Sequence, residues 1–291
     1  MKNTPFSPII AGAMTWGAWG RKCNSKEMIE LIHCCLENNI TTFDHADIYG
    51  SYTTEAEFGA AFRESKIDRE AVQLISKCSI QLLSDNRKNT FIKHYEYSKD
   101  YIVTSVEQSL KNLQTDYLDV ILLHRPSPLM RADEIAEAIT QLKNQGKILD
   151  FGVSNFTPSQ SDLIQTKIKV NYNQIEFSAT ALEPMLDGSL DYMQTHGIKP
   201  MAWSPLGSVF KGKDPRSLRV KKAADVLAEK YGVSTDIILL AWILKHPAGV
   251  LPVCGTSDQR RIANLMKATQ ISLDLQDWFT LWEANRGVEV P

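Results

Sequence analysis

Short strand-forming runs alternate with amphipathic helical patterns from one end of this 291-residue chain to the other. The strand candidates are Ile9–Ala13, Ile40–Asp44, Val72–Lys77, Leu118–His124, Ile148–Val153, Val170–Gln174, Lys199–Trp203 and Val250–Val253. Several are apolar almost throughout, as in "LDVILLH" and "VLPV", which suits strands covered on both faces. Between them, "NSKEMIELIHCCLENN" carries Asn24 and Glu27 at capping-box spacing and then Met28, Leu31, Ile32, Cys35 and Leu36 on one face. Thr54 and Glu57 repeat that spacing, and Ile102, Val103, Val106, Leu110 and Leu113 form another stripe. Gly146 stands where a helix should stop. Thr157 before Pro158 reads as a cap with a first-turn proline. Later helices are expected at Leu186–His196, Leu218–Lys230, Thr235–Lys245, Gln259–Ala268 and Leu275–Arg286.

Eight strand–helix units argue for a parallel sheet with right-handed crossovers. In a chain of this length, closure into a (β/α)8 TIM barrel is the simplest α/β topology. The rival is an open doubly wound sheet, and a dinucleotide-binding one would carry GxGxxG after its first strand. The segment "AGAMTWGAWG" lacks that spacing. No Pro/Gly/Ser-rich linker divides the sequence, so residues 1–291 read as one domain. The longest expected loop is Ser79–Tyr97.

Composition removes several function classes. Thirty-two Lys and Arg against 34 Asp and Glu leave a net charge of −2, with no global basic field to hold nucleic acid. No apolar run approaches the ~18 residues of a membrane span, and Pro5 and Pro8 interrupt what a signal peptide would need. The five cysteines are odd in number and two of them, Cys34 and Cys35, are adjacent in an expected helix. That argues against a disulfide framework and for the cytoplasm. Neither CxxC nor HExxH occurs, so no metal site is expected. No extended apolar face is evident, so a monomer is expected.

Chemistry in a barrel gathers at the C-terminal ends of the strands. The second strand ends in Asp44 and leads to Tyr49 ("TTFDHADIYG"), the third ends in Lys77, and the fourth ends in His124. Each residue alone has an ordinary explanation. Asp44 can cap a turn, Tyr49 can pack, Lys77 can reach solvent, and His124 can bond within a loop. Together they make chemical sense. A free phenol, with a pKa of ~10, trades protons poorly at neutral pH. An adjacent ammonium favours the phenolate, a carboxylate anchors that ammonium, and an imidazole orients a carbonyl oxygen.

The ordered motifs resemble the aldo-keto reductase family over nearly the whole chain. The segments that carry the resemblance are "FDHADIYG", "EAEFG", "SLKNLQTDYLDVILLHRP", "GKILDFGVSNF", "NQIEFS" and "WSPLGS". The resemblance implies an NADPH-binding (β/α)8 barrel that reduces an aldehyde or ketone. It makes Tyr49 the general acid, Lys77 and Asp44 its support, and His124 the group that orients the carbonyl. It assigns Ser154, Asn155 and Gln174 to the nicotinamide carboxamide and Trp203 to stacking on the ring. Ser204, Pro205, Leu206 and Gly207 match the pyrophosphate stretch; Gly255, Thr256, Ser257 and Arg261 match the 2′-phosphate site. Thr15 falls near the nicotinamide and Trp16 on the substrate-pocket wall; Trp19 either extends that wall or packs its own loop. Asn264-Leu265 stands where many members have Glu-Asn, and Arg260 is a second candidate for the phosphate. The family also includes redox-reporting subunits that hold NADP(H) with little turnover, which is the alternative function on the same scaffold. The segment from Leu273 to Pro291 is expected to be one helix and a short tail, leaving the pocket open.

Overall fold

The structure, a computed structural model, describes residues 5–291. Residues 1–4, the start of the segment weighed as a signal peptide, lie outside the described residues. Eight parallel strands close into a barrel: Ile10–Gly12, Thr42–Asp44, Gln73–Cys78, Leu118–Leu123, Ile148–Ser154, Tyr172–Glu176, Lys199–Trp203 and Leu251–Cys254. Each pairs with the next in sequence, and the eighth returns to the first through Ile10 opposite Val253 and Ala11 opposite Cys254. This is the (β/α)8 architecture expected from the alternation.

Side chains alternate between the two faces of each strand. Ile10, Ile75, Val120, Leu122, Met201 and Val253 pack together inside the barrel. Their neighbours Ile9, Ala11, Phe43, Leu74, Ile121 and Leu123 join the larger core between the strands and the helices. The same parity fixes the later residues. Lys77, two beyond Ile75, points inward, and so does Asp44, one beyond the outward Phe43.

Helix boundaries follow local chemistry. The first helix, Ser25–Glu37, has a reciprocal capping box in which the Glu27 amide donates to Asn24 Oδ1 and the Asn24 amide donates to Glu27 Oε2, each at 3.0 Å. Pro158–Gln165 is capped the same way by Thr157 and Gln160. The third expected box does not form. The helix Thr54–Ser65 starts one residue earlier than that spacing requires, its N-cap Thr53 makes no side-chain cap, and the buried Thr54 hydroxyl has no partner. The tight turn before it draws the Thr53 hydroxyl to the Gly50 carbonyl instead.

The stretch Ser79–Tyr97 is more ordered than a plain loop. Ile80–Gln81 and His94–Tyr95 pair as an antiparallel ribbon, and Ile80 packs with Ala46, Ile48 and Tyr49. The segment expected as one helix from Leu186 is two helices, Glu183–Leu186 and Ser189–His196, separated at Gly188 (φ +83°). The C-terminal helix Leu275–Arg286 has the expected limits. Arg219 fixes its end by donating to the carbonyls of Ala284 and Asn285, both at 2.9 Å.

Candidate active site

The inward parity of the second and third strands brings Asp44 and Lys77 together in the barrel mouth. The Lys77 ammonium is fully buried and uses all three of its donors. It donates to Asp44 Oδ2 at 2.7 Å, to the His45 carbonyl at 2.7 Å and to the Tyr49 hydroxyl at 3.0 Å. The other Asp44 oxygen accepts from Gln174 Nε2 at 2.8 Å. A buried charge is tolerated only when paired and hydrogen-bonded in this way. Burial works against the Lys77 charge, but Asp44 and Tyr49 together outweigh it and hold its pKa above the ordinary lysine value.

Tyr49 shows two opposed effects. Burial pushes its phenol above 10, and the Lys77 ammonium pulls it back. From the sequence alone only the ammonium is visible. In the structure burial is the larger effect, so Lys77 moderates the rise without reversing it. The phenol therefore keeps its proton at neutral pH. Its oxygen accepts from Lys77, leaving its own hydrogen free.

His124 closes this group from the fourth strand. Its ring centroid lies 6.2 Å from that of Tyr49, edge-on. Its backbone amide is held by the Cys78 carbonyl (2.9 Å) and the Ser79 hydroxyl (3.2 Å). Burial, with Lys77 and Arg125 nearby, holds the imidazole well below 6.5. It is therefore uncharged at neutral pH, with one donor and one acceptor nitrogen. Asp44, Tyr49, Lys77 and His124 thus share one mouth.

The fifth to seventh strands end beside them. The Ser154 hydroxyl donates to the Gln174 carbonyl at 2.9 Å and accepts from Asn155 Nδ2 at 2.8 Å. Asn155 Oδ1 accepts from Trp203 Nε1 at 2.9 Å, which fixes the indole edge. Ser204–Gly207 is a turn closed by the Gly207 amide donating to the Ser204 carbonyl at 2.8 Å. Gly207 is required there: its φ is +52°, and a Cβ would strike the hydroxyls of Ser178 and Thr180. Pro205 is buried beneath the turn, and Leu206 is partly buried against the core.

Across the first and eighth strands, the Thr15 hydroxyl donates to the Gly255 carbonyl at 2.8 Å and Trp16 Nε1 donates to the Thr256 carbonyl at 3.0 Å. The Ser257 carbonyl accepts from Arg21 at 2.7 Å. Trp16 does not line the pocket as expected. It is 1% exposed and packs against Phe43 and Phe58 in the layer between strands and helices. Trp19 instead reaches the mouth, 6.2 Å from the Tyr49 ring. Arg260 is paired with its own neighbour Asp258 at 3.4 Å, whereas Arg261 makes no ion pair among the described residues. Asn264 bonds back to the Arg260 carbonyl at 2.7 Å, and Leu265 is buried.

The sequence matches the model of the aldo/keto reductase family over residues 8–286. The chain belongs to the aldo/keto reductase family. It is 43% identical to the oxidoreductase YcsN of Bacillus subtilis, over 100% of this chain and 98% of that protein. It is 37% identical to a 6-dehydroglucose reductase of Agrobacterium fabrum, over 89% of this chain and 88% of that protein. Among solved structures, an aldo/keto reductase from Klebsiella pneumoniae in complex with NADP and acetate has a TM-score of 0.80 at 24% identity, covering 98% of this chain and 93% of that one. Together these make the chain an oxidoreductase of the aldo/keto reductase family, acting in carbonyl chemistry. No helix is long and apolar enough to cross a membrane among the described residues. The same holds for groups of metal-ligating side chains: none is found there.

Asp47, three residues beyond Asp44 in the strand-end motif, lies behind the site. Its Oδ2 accepts from Tyr101 at 3.4 Å and Ser105 at 3.3 Å, and its Oδ1 has no partner. Burial, with the like charge of Glu55, pushes its carboxyl up to about 8 from 3.8. Between those values the folded state holds a proton that the unfolded chain releases, so this group makes stability fall as pH rises from about 4 to 8. Asp47→Asn has no such penalty. Relative to wild type, it should gain roughly 3–4 kcal/mol between pH 5 and pH 8. Urea unfolding midpoints at the two pH values measure this; parallel changes in both proteins would refute the assignment.

Proposed function

We propose that this aldo/keto reductase is a one-domain, cytoplasmic, NADP(H)-dependent enzyme that reduces aldehyde or ketone carbonyls. Tyr49 is its proton donor. The observation that carries this reading is the Lys77 ammonium, held by Asp44 at 2.7 Å and donating to the Tyr49 oxygen at 3.0 Å. As a proton leaves Tyr49, the phenolate that forms already faces a fixed positive charge, which needs no reorganisation. The neutral His124 donates to the carbonyl oxygen and orients it toward Tyr49. Solvent returns the proton to Tyr49 afterwards.

The residues present fit the cofactor. Trp203 has its edge tied to Asn155, which leaves a face for the nicotinamide ring. Ser154, Asn155 and Gln174 supply amide and hydroxyl groups for the carboxamide, and Thr15, held by the Gly255 carbonyl, is the residue that the family resemblance puts near the nicotinamide. The Ser204–Gly207 turn suits a pyrophosphate, because its small residues let backbone N–H groups approach phosphate oxygens. Gly255, Thr256, Ser257 and Arg261, which makes no ion pair among the described residues, suit a 2′-phosphate. When bound, NADPH supplies the hydride that adds to the carbonyl carbon. The Klebsiella structures solved with NADP and with NADPH support the choice of cofactor.

Fluorescence titration should give a dissociation constant at least about tenfold lower for NADPH than for NADH, the expected effect of one charge-assisted contact. Steady-state reduction of 4-nitrobenzaldehyde then tests the activity. Equal affinities would remove the phosphate assignment. Tight NADPH binding without turnover of any aldehyde would return the chain to the redox-reporting alternative.

A further inference from the structure

Arg125 is a charged group at the edge of this mouth with no ion pair among the described residues. Lys77 has Asp44, but no carboxylate lies within 4.0 Å of the Arg125 guanidinium among the described residues. Its Nη1 donates to the His124 carbonyl at 3.0 Å and approaches the Ser154 hydroxyl at 3.5 Å. No protein partner for Nε or Nη2 is found among the described residues. The group is half-buried, and its Cζ stands 5.6 Å from the centre of the Trp203 ring. It holds the His124 carbonyl and stands beside the Trp203 ring, so it borders the place where a carbonyl would sit, and its charge acts on both Tyr49 and His124. Lys93 adds a second positive charge toward His124. Glu176, at the end of the sixth strand, is exposed and acts on Arg125 only at a distance. The local balance is therefore positive, and a partly desolvated cation with spare donors is costly unless something pairs with it.

The geometry points to Arg125 as a specificity-determining residue that binds a carboxylate carried by the carbonyl substrate, making short-chain oxo acids the favoured substrate class. This rests on the reductase reading above. A guanidinium presents a planar fork of donors that matches a carboxylate, often with two parallel bonds. The residue follows His124 directly, so imidazole and guanidinium would grip the two oxygen functions of one small molecule. Burial lowers the guanidinium from its usual range, but arginine remains charged at neutral pH.

The test compares succinic semialdehyde with butanal and glyceraldehyde, using the full chain and NADPH. Wild-type kcat/KM should favour succinic semialdehyde over butanal by about tenfold or more, the effect of one charge-assisted contact. In Arg125→Met that ratio should fall about tenfold, chiefly through a higher KM for the acid; Arg125→Lys should recover part of it. NADPH titrates alike in all three proteins. Equal losses on both aldehydes, or a collapse of NADPH affinity, would show a structural or cofactor role and overturn the assignment. A wild-type preference for glyceraldehyde over the acid would overturn it as well. If the wild type reduces none of these, nor 4-nitrobenzaldehyde, the reductase reading itself has failed and this assignment falls with it.

Discussion

Tyr49→Phe should lower the turnover of 4-nitrobenzaldehyde by about 10²–10⁴-fold, the usual contribution of a positioned proton donor, while NADPH still binds within a factor of about three. The substitution removes one oxygen and leaves the ring among Ala46, Ile48 and Ile80, so packing changes little. Two groups lose something. The carbonyl oxygen loses its proton donor, and Lys77 loses one of its three acceptors while keeping Asp44 and the His45 carbonyl. The ammonium thus remains paired, which is why the loss should fall on kcat and not on folding. Single-turnover rates with saturating NADPH separate the chemical step from binding. Wild-type turnover in this variant would mean that the proton comes from elsewhere, Lys77 and His124 being the other donors beside Tyr49.

The parts of this site that the sequence revealed are those fixed by strand parity. Asp44, Lys77 and His124 each end a recognisable strand run, and inward or outward direction follows from counting by two. Tyr49 follows Asp44 through a short turn, so its neighbourhood was readable as well. What escaped depends on contacts between distant segments. Trp16 sits in a loop, where no periodicity says which way an indole turns; only its burial against Phe43 and Phe58 removes it from the pocket. The ribbon of Ile80–Gln81 and His94–Tyr95 has strands of two residues, too short for an alternating pattern to register. Arg125 stands directly after His124, but that no carboxylate lies within 4.0 Å of it among the described residues is a property of the assembled mouth, and a sequence does not display absent neighbours. The direction of the Tyr49 shift failed to emerge for a related reason. The charge partner was legible from the motif, whereas the extent of burial is a property of the assembled mouth.

Lys77→Met should be both inactive and strongly destabilised, and the second effect is the more diagnostic. Removing the ammonium leaves the Asp44 carboxylate buried with Gln174 as its remaining side-chain partner, and leaves the His45 carbonyl without its donor. Breaking a buried ion pair from one side costs about 3–5 kcal/mol, because the surviving charge keeps its desolvation penalty and loses its compensation. The methionine chain fills much of the vacated volume, so a cavity is not the main loss. Asp44→Asn/Lys77→Met removes both charges. It should be more stable than Lys77→Met alone by at least about 1.5 kcal/mol, although still inactive. A double-mutant cycle by urea unfolding measures this coupling directly. If the losses of the two single variants simply add, to within about 0.5 kcal/mol, then Asp44 and Lys77 do not depend on each other, and the ammonium facing Tyr49 is anchored by something other than the carboxylate 2.7 Å away.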